Sequence, residues 1–333
     1  MRVVATAPCR ADLAGGTLDI WPLGVIHRGA LTVNMAVEVP VRLVVDLAGR
    51  PGRVAHAVGD GGWTEFGPDD GDSDLTAAVC FALRAAGGLR VRVLDQAPVG
   101  SGLGGSSSYA VALARAVLEL EERTMDDRSV VALVRDLEAR ILHAPTGVQD
   151  HWSAARGGVI AVHIDAGGEV VEDLAVDSNW LGERVSVFFT GITHHSGMVN
   201  WQVFRRRMEG DSATTSALEA VAEAARACRH ALVTADEAGC GAAIADEWAA
   251  RKRLAPEVCP EILETLERAA LSAGARSFKA CGAGGGGSVL LWHPSGVREP
   301  VERALTAAAP AGFMVPAGIV FEGCRVVSAN TGD

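Results

Sequence analysis

The sequence predicts an α+β protein with two domains, and three observations lead to this prediction. The chain has 333 residues, which is long enough for two domains that each bury a core. Strand-like and helix-like segments are mixed without the regular alternation of a doubly wound sheet. The segment 165–179 is polar and contains glycines, so it divides the chain into predicted domains at 1–170 and 171–333.

The first half is expected to supply strands and then two helices. Its strand-like segments are β-branched or alternate apolar with polar residues, and Pro40 makes the second of them either two strands or one bent strand. The predicted strands are Val3–Ala7, Leu31–Val45 and Leu89–Val93. Apolar residues recur three or four positions apart in the predicted helices, Ser106–Glu121 and Ser129–Leu142.

The second half combines apolar strands with alanine-rich helices. Its predicted strands are Val185–Phe189, Ser288–Trp292 and Gly318–Glu322. Its predicted helices are Thr214–Ala238, Glu261–Ala273 and Val301–Ala309. This order of elements again favours a mixed α+β domain.

Composition excludes several classes of function. The chain is 49% hydrophobic and 21% charged, which is typical of a globular protein. Its formal net charge of -11 argues against a nucleic-acid or anionic-membrane partner, because either needs a basic surface. The sequence contains no stretch of roughly 18 apolar residues, so it predicts no membrane span.

The cysteines and the N-terminus predict a cytoplasmic protein. Seven cysteines without a CxxC pair indicate neither a disulfide framework nor a zinc site, and we expect buried, reduced thiols. The first residues hold no long apolar run after an early arginine, so no signal peptide is expected. The sequence shows no recognisable subunit interface, so both a monomer and a homodimer are compatible with it.

A glycine- and serine-rich loop between a strand and a helix predicts phosphate binding. Glycines let backbone N–H groups approach an anion, and the helix N-terminus favours negative charge. The loop is neither a Walker loop nor a dinucleotide fingerprint, because no GK[ST] follows and the GxGxxG spacing is absent. The candidate nucleotide-binding residues are Gly100, Ser101, Gly102, Leu103, Gly104, Gly105, Ser106, Ser107 and Ser108.

Three motifs in order resemble the galactokinase–homoserine kinase–mevalonate kinase–phosphomevalonate kinase (GHMP) family. The segment 102–108 is similar to the second motif of that family. The segment 7–19, APCRADLAGGTLD, resembles the N-terminal motif, and 279–288, KACGAGGGGS, resembles the glycine-rich third motif. The resemblance covers nearly the whole chain. It implies a ribosomal S5-like N-terminal domain, a ferredoxin-like C-terminal domain and an active site between them.

Two departures from the family pattern bear on specificity. The Glu-His pair of galactokinase-like sequences is replaced by Gly16 and Thr17, which argues against galactose. The variant Ala-Gly-Gly-x-x-Asp resembles heptose-phosphate kinases and fucokinase-like enzymes instead. In the second motif Gly105 replaces the first serine, leaving Ser106 in the second place.

The resemblance assigns catalytic and metal-binding roles. Asp150 would orient the attacking hydroxyl and accept its proton, and Arg10 would hold Asp150 ionised and neutralise the transferred phosphoryl group. Ser106 and Glu138 would hold Mg²⁺ against the phosphates of ATP. Gly284 and Gly285 would lie against the nucleotide. Without the resemblance, Asp150 could equally be a helix cap.

Asp19 is the predicted substrate-binding carboxylate, because a carboxylate can accept two sugar hydroxyls. Gly16, Thr17 and Thr193 are expected beside it. Several other residues keep two interpretations. Trp21 could stack on a sugar or lie in the core, and Lys279 could be a phosphate contact or a surface lysine. Arg205, Arg206 and Arg207 could grip a substrate phosphate or form a solvated helix face, and the roles of His194 and His195 stay open.

The sequence thus predicts an ATP- and Mg²⁺-dependent kinase that phosphorylates a hydroxyl of a sugar or sugar phosphate, with the anomeric hydroxyl as one option. Two alternatives are a kinase of a non-sugar alcohol such as mevalonate and a non-catalytic nucleotide and sugar sensor of the same fold. A sensor need not keep Arg10, Ser106, Glu138 and Asp150 together, which favours the enzyme.

Overall fold

The computed structural model describes residues 1–83, 88–193 and 196–329, without the side chains of 196–199. In this part of the chain the strands form two sheets. The strands are β1 (Arg2–Ala14), β2 (Leu31–Gly49), β3 (Val54–Val58), β4 (Thr64–Phe66), β5 (Gly88–Asp95), β6 (Val159–Asp165), β7 (Gly168–Asp173), β8 (Val185–Phe189), β9 (Ser277–Ala280), β10 (Ser288–Trp292), β11 (Phe313–Val315) and β12 (Arg325–Ser328).

Helices cover the two sheets and connect their strands. They are α1 (Leu23–Ile26), α2 (Leu75–Ala82), α3 (Gly105–Leu120), α4 (Asp127–Leu142), α5 (Gln149–Arg156), α6 (Ser178–Gly182), α7 (Ser196–Met208), α8 (Ser212–Val233), α9 (Glu237–Lys252), α10 (Glu261–Ser272) and α11 (Arg298–Ala308). Two short 3₁₀ segments lie at Pro68–Asp72 and Pro256–Val258.

The first sheet runs in the order β12-β1-β2-β5-β3-β4, with β6 pairing β2 and β7 pairing β6. The second sheet runs in the order β11-β8-β10-β9 and is antiparallel. Only the β3–β5 pair is parallel among the described strands. The predicted mixture of helix and sheet is therefore confirmed.

A bulge in β2, opposite Pro8 and Cys9 of β1, sets the position of the β1 residues that follow. Pro8 pairs with Pro40 in β2, and the register then shifts so that Cys9 faces Val37. Proline has no N–H to donate, so two facing prolines interrupt the ladder at this point. Beyond the bulge the N–H of Arg10 donates to the carbonyl of Leu103 at 2.9 Å. The phosphate loop is thereby attached to β1.

One of the buried hydrophobic clusters, the shared core, contains residues of both sheets. Leu13 of β1, Val187 of β8, Leu290 of β10 and Ile244 of α9 belong to the same buried cluster. The last strand, β12, returns to the first sheet and pairs antiparallel with β1. The expected division at residues 170 and 171 falls inside β7 and stays a prediction.

Two predicted elements are wrong in their bounds. The segment 318–322 forms only an isolated bridge, between Ile319 and Val37, and the last strand is β12 instead. The helix predicted at 214–238 ends at Val233, because Ala235 adopts φ +52°. The side chain of Asp236 then accepts from the N–H of Gly239 and starts α9.

Within the described ranges, none of the helices combines the length and the apolar character that crossing a membrane requires.

Candidate active site

A cleft of about 840 Å³ lies where the phosphate loop, the N-terminal motif and the third motif meet. Its lining comes from both halves of the chain. The lining residues that matter below are Arg10, Thr17, Asp19, Gly100, Ser101, Gly102, Gly104, Gly105, Ser106, Ser107, Glu138, Gln149, Asp150, Asn200, Trp201, Gly282 and Ala283.

The phosphate loop places a helix N-terminus at this cleft. Gly104 has φ +75° and precedes the first residue of α3, Gly105, and no side chain caps this helix. The N–H groups of the first turn are therefore available to an anion, which the helix dipole also favours. Seven of the nine predicted loop residues line the cleft. Leu103 instead lies in the shared core, and the Ser108 hydroxyl donates to the carbonyl of Pro8 at 2.9 Å.

The third motif packs directly on the phosphate loop. A Cβ on Gly287 would lie 2.8 Å from the carbonyl oxygen of Ser101, so only glycine permits this approach. Gly282 and Ala283 line the cleft. The predicted nucleotide contacts Gly284 and Gly285 lie against Val258 instead, whose carbonyl accepts from the Gly285 N–H at 2.9 Å.

Asp150 and Arg10 form an ion pair in the lining of the cleft. Arg10 Nε and Nη2 lie 2.8 and 2.6 Å from the same oxygen, Asp150 Oδ1, and Arg10 Nη1 donates to the carbonyl of Gly102 at 2.5 Å. Arg10 is only 2% exposed. Burial lowers the pKa of Arg10, but Asp150 and Asp12 raise it further, so the net direction is upward and the charge is kept.

Glu138 of α4 is buried among three polar partners. The hydroxyls of Ser106 and Ser107 donate to its two oxygens, the second at 2.9 Å, and His151 Nε2 lies 3.0 Å from Oε2. Burial works to raise the pKa of Glu138, but His151 and the two serines together lower it below its usual value. Glu138 is therefore held as a carboxylate.

Ser106 and Glu138 fit a magnesium ion in chemical terms. A hydroxyl and a carboxylate are oxygen ligands of the kind Mg²⁺ prefers, and both side chains line the cleft beside the helix N-terminus. No group of three or more His, Cys, Asp or Glu in the described ranges could hold a metal. An ion bound by this pair would take its other ligands from water and phosphate oxygens.

Asp19 is buried beside the start of α5. Its Oδ2 accepts from the Gln149 N–H at 2.9 Å, and a Cβ on Gly147 would lie only 1.9 Å from that oxygen. Burial raises the pKa of Asp19 to about 6, the Gln149 N–H works against this shift, and the charge of Asp150 adds to it. Asp19 thus ionises just below neutral pH.

Asn200 and Trp201 of α7 face the N-terminal motif across the cleft, and the sequence did not identify them. The hydroxyl of Thr17 lies 3.4 Å from Asn200 Oδ1. Trp201 stacks on Phe204 and is 48% exposed. Thr193 is exposed and does not line the cleft. His194 and His195 lie outside the described residues.

The structure decides between the interpretations left open for Trp21 and for the three consecutive arginines. Trp21 is 73% exposed, so it is not a core residue, and it does not line the cleft. Arg205, Arg206 and Arg207 lie away from the cleft as well. Arg206 donates to the carbonyl of Leu254, and Arg207 Nε lies 3.0 Å from His27 Nε2. Two of these arginines therefore hold α7 in place.

Lys279 is neither a surface residue nor a residue of the cleft lining. It is fully buried, and its Nζ lies 3.0 Å from Asp12 Oδ1 and 3.3 Å from Glu247 Oε1. Arg251 Nη1 lies 3.4 Å from the same Glu247 oxygen and 3.7 Å from Asp12 Oδ2. We name Asp12, Glu247, Arg251 and Lys279 the buried charge cluster.

The sequence missed three members of this cluster and one neighbour of Glu138. Glu247 and Arg251 are spaced i, i+4 on an alanine-rich helix, a pattern that usually marks a solvated face. His151 directly follows Asp150, and that adjacency was its only signal. Asp12 occurs within the N-terminal motif, but its partners lie far away in the chain.

Comparison with known protein families places these motifs in one group. The family model of the GHMP kinases N terminal domain matches residues 74–158, and that of the GHMP kinases C terminal domain matches residues 218–311. The two matches together cover more than half of the chain. They include the phosphate loop, Glu138, Asp150, the buried charge cluster except Asp12, and the third motif.

Two curated proteins are similar in sequence. The D-glycero-alpha-D-manno-heptose 7-phosphate kinase of Campylobacter jejuni is 27% identical over 59% of this chain and 58% of its own length. The bifunctional fucokinase/GDP-fucose pyrophosphorylase of Arabidopsis thaliana is 26% identical over 87% of this chain and 30% of its own length. The matches thus span less than two thirds of either relative.

Solved structures share the fold. A D-glycero-D-manno-heptose 1-phosphate kinase from Bacteroides thetaiotaomicron superposes with a TM-score of 0.77 at 22% identity, covering 99% of this chain and 100% of that one. Galactokinase from Lactococcus lactis, complexed with galactose, superposes with a TM-score of 0.78 at 15% identity, covering 97% of this chain and 95% of that one. With both family models matched in order on a two-sheet fold of this kind, the chain belongs to the GHMP kinases.

Proposed function

We propose that this protein transfers the γ-phosphoryl group of ATP to a hydroxyl of a sugar or sugar phosphate. One observation carries the proposal. The carboxylate of Asp150, held by Arg10, lies in the same cleft as the uncapped N-terminus of α3. A proton acceptor next to an anion-binding helix end is what transfer of a phosphoryl group to a hydroxyl requires.

The nucleotide would occupy the part of the cleft that the phosphate loop borders. Backbone N–H groups of α3 would receive its phosphates, and Gly282 would allow the third motif to lie close by. Beyond the loop the cleft is lined by apolar side chains that suit a nucleobase, namely Val93, Ala97, Val99 and Leu142. Mg²⁺ held by Ser106 and Glu138 would neutralise charge on the phosphates.

Asp150 would act on the acceptor hydroxyl. Arg10 occupies Oδ1, so Oδ2 is the oxygen placed to orient the hydroxyl and receive its proton. The hydroxyl oxygen then bonds to the γ-phosphorus as the bond to the ADP oxygen breaks. The buried guanidinium of Arg10 would stabilise the negative charge on the transferred group.

A sugar acceptor is supported by Asp19, Thr17 and Asn200, whose oxygens lie at one end of the cleft. Carboxylate, hydroxyl and amide groups are the partners that sugar hydroxyls need. The two curated relatives are named for a heptose phosphate and for fucose, which agrees with this class. Mevalonate and homoserine are alternative acceptors, and the experiment below includes both.

We further propose that the protein works in the cytoplasm, as a monomer or homodimer. All seven cysteines are free thiols in the structure, and burial raises the pKa of Cys80 above its usual value. Unpaired thiols and the use of ATP both suit a reducing compartment.

The decisive experiment measures ADP release with MgATP over a panel of free sugars, heptose and hexose phosphates, mevalonate and homoserine. We expect release that depends on a sugar or sugar phosphate and falls roughly a hundredfold or more in Asp150→Asn. Asp60→Asn, which changes an exposed carboxylate, is the matched control and should retain full activity. Turnover only with mevalonate or homoserine would overturn the sugar assignment, and ATP binding without any turnover would favour the sensor.

A further inference from the structure

The buried charge cluster lies directly beneath the loop that carries Gly15, Gly16 and Thr17. The Gly15 N–H donates to Glu247 Oε1 at 3.3 Å. A Cβ on Gly16 would lie 2.6 Å from Asp12 Oδ2 and 2.7 Å from Arg251 Nη1. Arg251 Nη2 donates to the Thr17 hydroxyl at 3.4 Å. Three consecutive residues of the loop therefore rest on three of the four side chains, namely Asp12, Glu247 and Arg251.

Thr17 has a backbone conformation that is unfavourable for threonine. Its φ is +78°, in the left-handed region that costs a β-branched residue about 1–3 kcal/mol. Its hydroxyl lies between Arg251 and Asn200, each at 3.4 Å. Strain of this kind persists where surrounding groups fix the residue, and it is common at ligand sites.

Arg251 also reaches the other side of the cleft. The same nitrogen that contacts Thr17, Nη2, donates to the carbonyl of Gly282 at 2.6 Å. Gly282 lines the cleft where the third motif meets the phosphate loop. One guanidinium thus joins the N-terminal loop beside Asp19 to the third motif.

Stability alone does not account for the four charges. Buried ion pairs are often replaceable by apolar side chains without loss of stability, because desolvation offsets their attraction. In this cluster the ion pairs leave some buried polar atoms without a hydrogen bond. Glu247 Oε2 and Arg251 Nε are buried without a hydrogen-bond partner in the described structure. The cluster therefore fixes the geometry of the loop although its charged groups lose their hydration.

We propose that Arg251, supported by the other three residues of the buried charge cluster, is a positioning residue for the acceptor. It holds Thr17 and the adjoining glycines in the shape that receives the acceptor and ties this loop to the third motif. The inference rests on the proposed function in identifying that loop as the acceptor side.

Kinetics of two variants test this role. Arg251→Lys keeps the positive charge that Asp12 and Glu247 require but loses the planar fork that reaches both Thr17 and Gly282. We expect the KM of the acceptor to rise about tenfold, as for one lost hydrogen bond to a charged group, and the KM of ATP to change far less. Arg253→Lys, on the exposed side of the same helix end, is the control and should leave both values unchanged.

Thr17→Gly separates positioning from stability. Glycine adopts φ +78° without strain, so the free energy of unfolding should stay equal or rise while the acceptor KM increases. An acceptor KM that stays at the wild-type value in both Arg251→Lys and Thr17→Gly would overturn the proposal.

Hydrogen exchange gives a readout that needs no turnover. In Arg251→Lys, amide exchange should increase together in segments 13–19 and 281–286, relative to Arg253→Lys. Faster exchange in only one segment, or in neither, would overturn the coupling. A wild-type protein that turns over no acceptor would sink the proposed function, and the exchange comparison would still decide this inference.

Discussion

Arg10 contacts a single oxygen of Asp150 through two of its nitrogens, at 2.8 and 2.6 Å. Both contacts go to Oδ1, so Oδ2 is left outside them. A carboxylate anchored through one oxygen can direct the other at a substrate. The contribution of these contacts to catalysis can therefore be measured separately from that of the positive charge of Arg10.

Replacing Arg10 with lysine should impair catalysis while keeping the charge. A lysine ammonium cannot reproduce both contacts to Asp150 and the contact to the Gly102 carbonyl. We expect kcat to fall roughly ten- to a hundredfold, the effect of losing one hydrogen bond to a charged group. Steady-state kinetics checks this, with Arg42→Lys as a control in an exposed arginine–aspartate pair. Equal losses in both variants would contradict the assigned role.

Replacing Gly104 with alanine should disturb Asp150 through direct contact. A Cβ there would lie 3.0 Å from Cβ, Cγ and Oδ2 of Asp150. Gly52 has a similar φ, +70° against +75°, but open space around it. Both alanine variants should lose about 1–2 kcal/mol of stability from the backbone conformation. Only Gly104→Ala should also lower kcat, and equal kcat values would show that the contact is unimportant.

Replacing Glu138 with glutamine should weaken the dependence on magnesium. The amide keeps the shape of the side chain but removes the negative charge that Ser106, Ser107 and His151 surround. We expect the Mg²⁺ concentration for half-maximal activity to rise several-fold. Titrating Mg²⁺ at fixed ATP measures this, and Glu119→Gln on the exposed face of α3 is the control. An unchanged Mg²⁺ response would remove Glu138 from the proposed metal site.

Acceptor binding should weaken as the pH falls through about 6. The pKa of Asp19 is raised to about 6, mainly by burial, so its ionised form is complete only above that value. Protonation removes an acceptor oxygen that sugar hydroxyls would use. The KM of an uncharged acceptor should therefore increase between pH 7 and pH 5. In Asp19→Asn the same KM should be higher throughout and independent of pH, and a parallel rise in both proteins would assign the titration elsewhere.

Local features of the sequence were predicted well because their causes are local. The glycines and serines of the phosphate loop and the apolar spacing of α3 are sufficient to place a helix N-terminus beside the cleft. Asp150 and Arg10 were predicted to act together and lie in contact in the cleft, although only resemblance to a family separated Asp150 from an ordinary helix cap, and their catalytic roles stay a prediction. Their contact then follows from the fold.

The failures concern residues whose environment depends on distant partners. Lysine is almost never fully buried unless it is paired, and the partners of Lys279 come from β1 and α9. Trp21 shows the opposite error, since its hydrophobicity suggested a core position but its side chain is 73% exposed. Gly284 and Gly285 belong to the expected motif, but the chain turns so that they meet Val258.

The pairing of β12 with β1 has a consequence for the order in which the protein can assemble during synthesis. β1 carries Arg10 and Asp12, yet one of its two neighbours follows all the other described strands in the sequence. A ribosome-bound chain that has completed the family's N-terminal segment still presents a bare strand edge, a template for unwanted pairing. The arginine that we propose for catalysis therefore lies on a strand whose second neighbour is synthesised after all the other described strands.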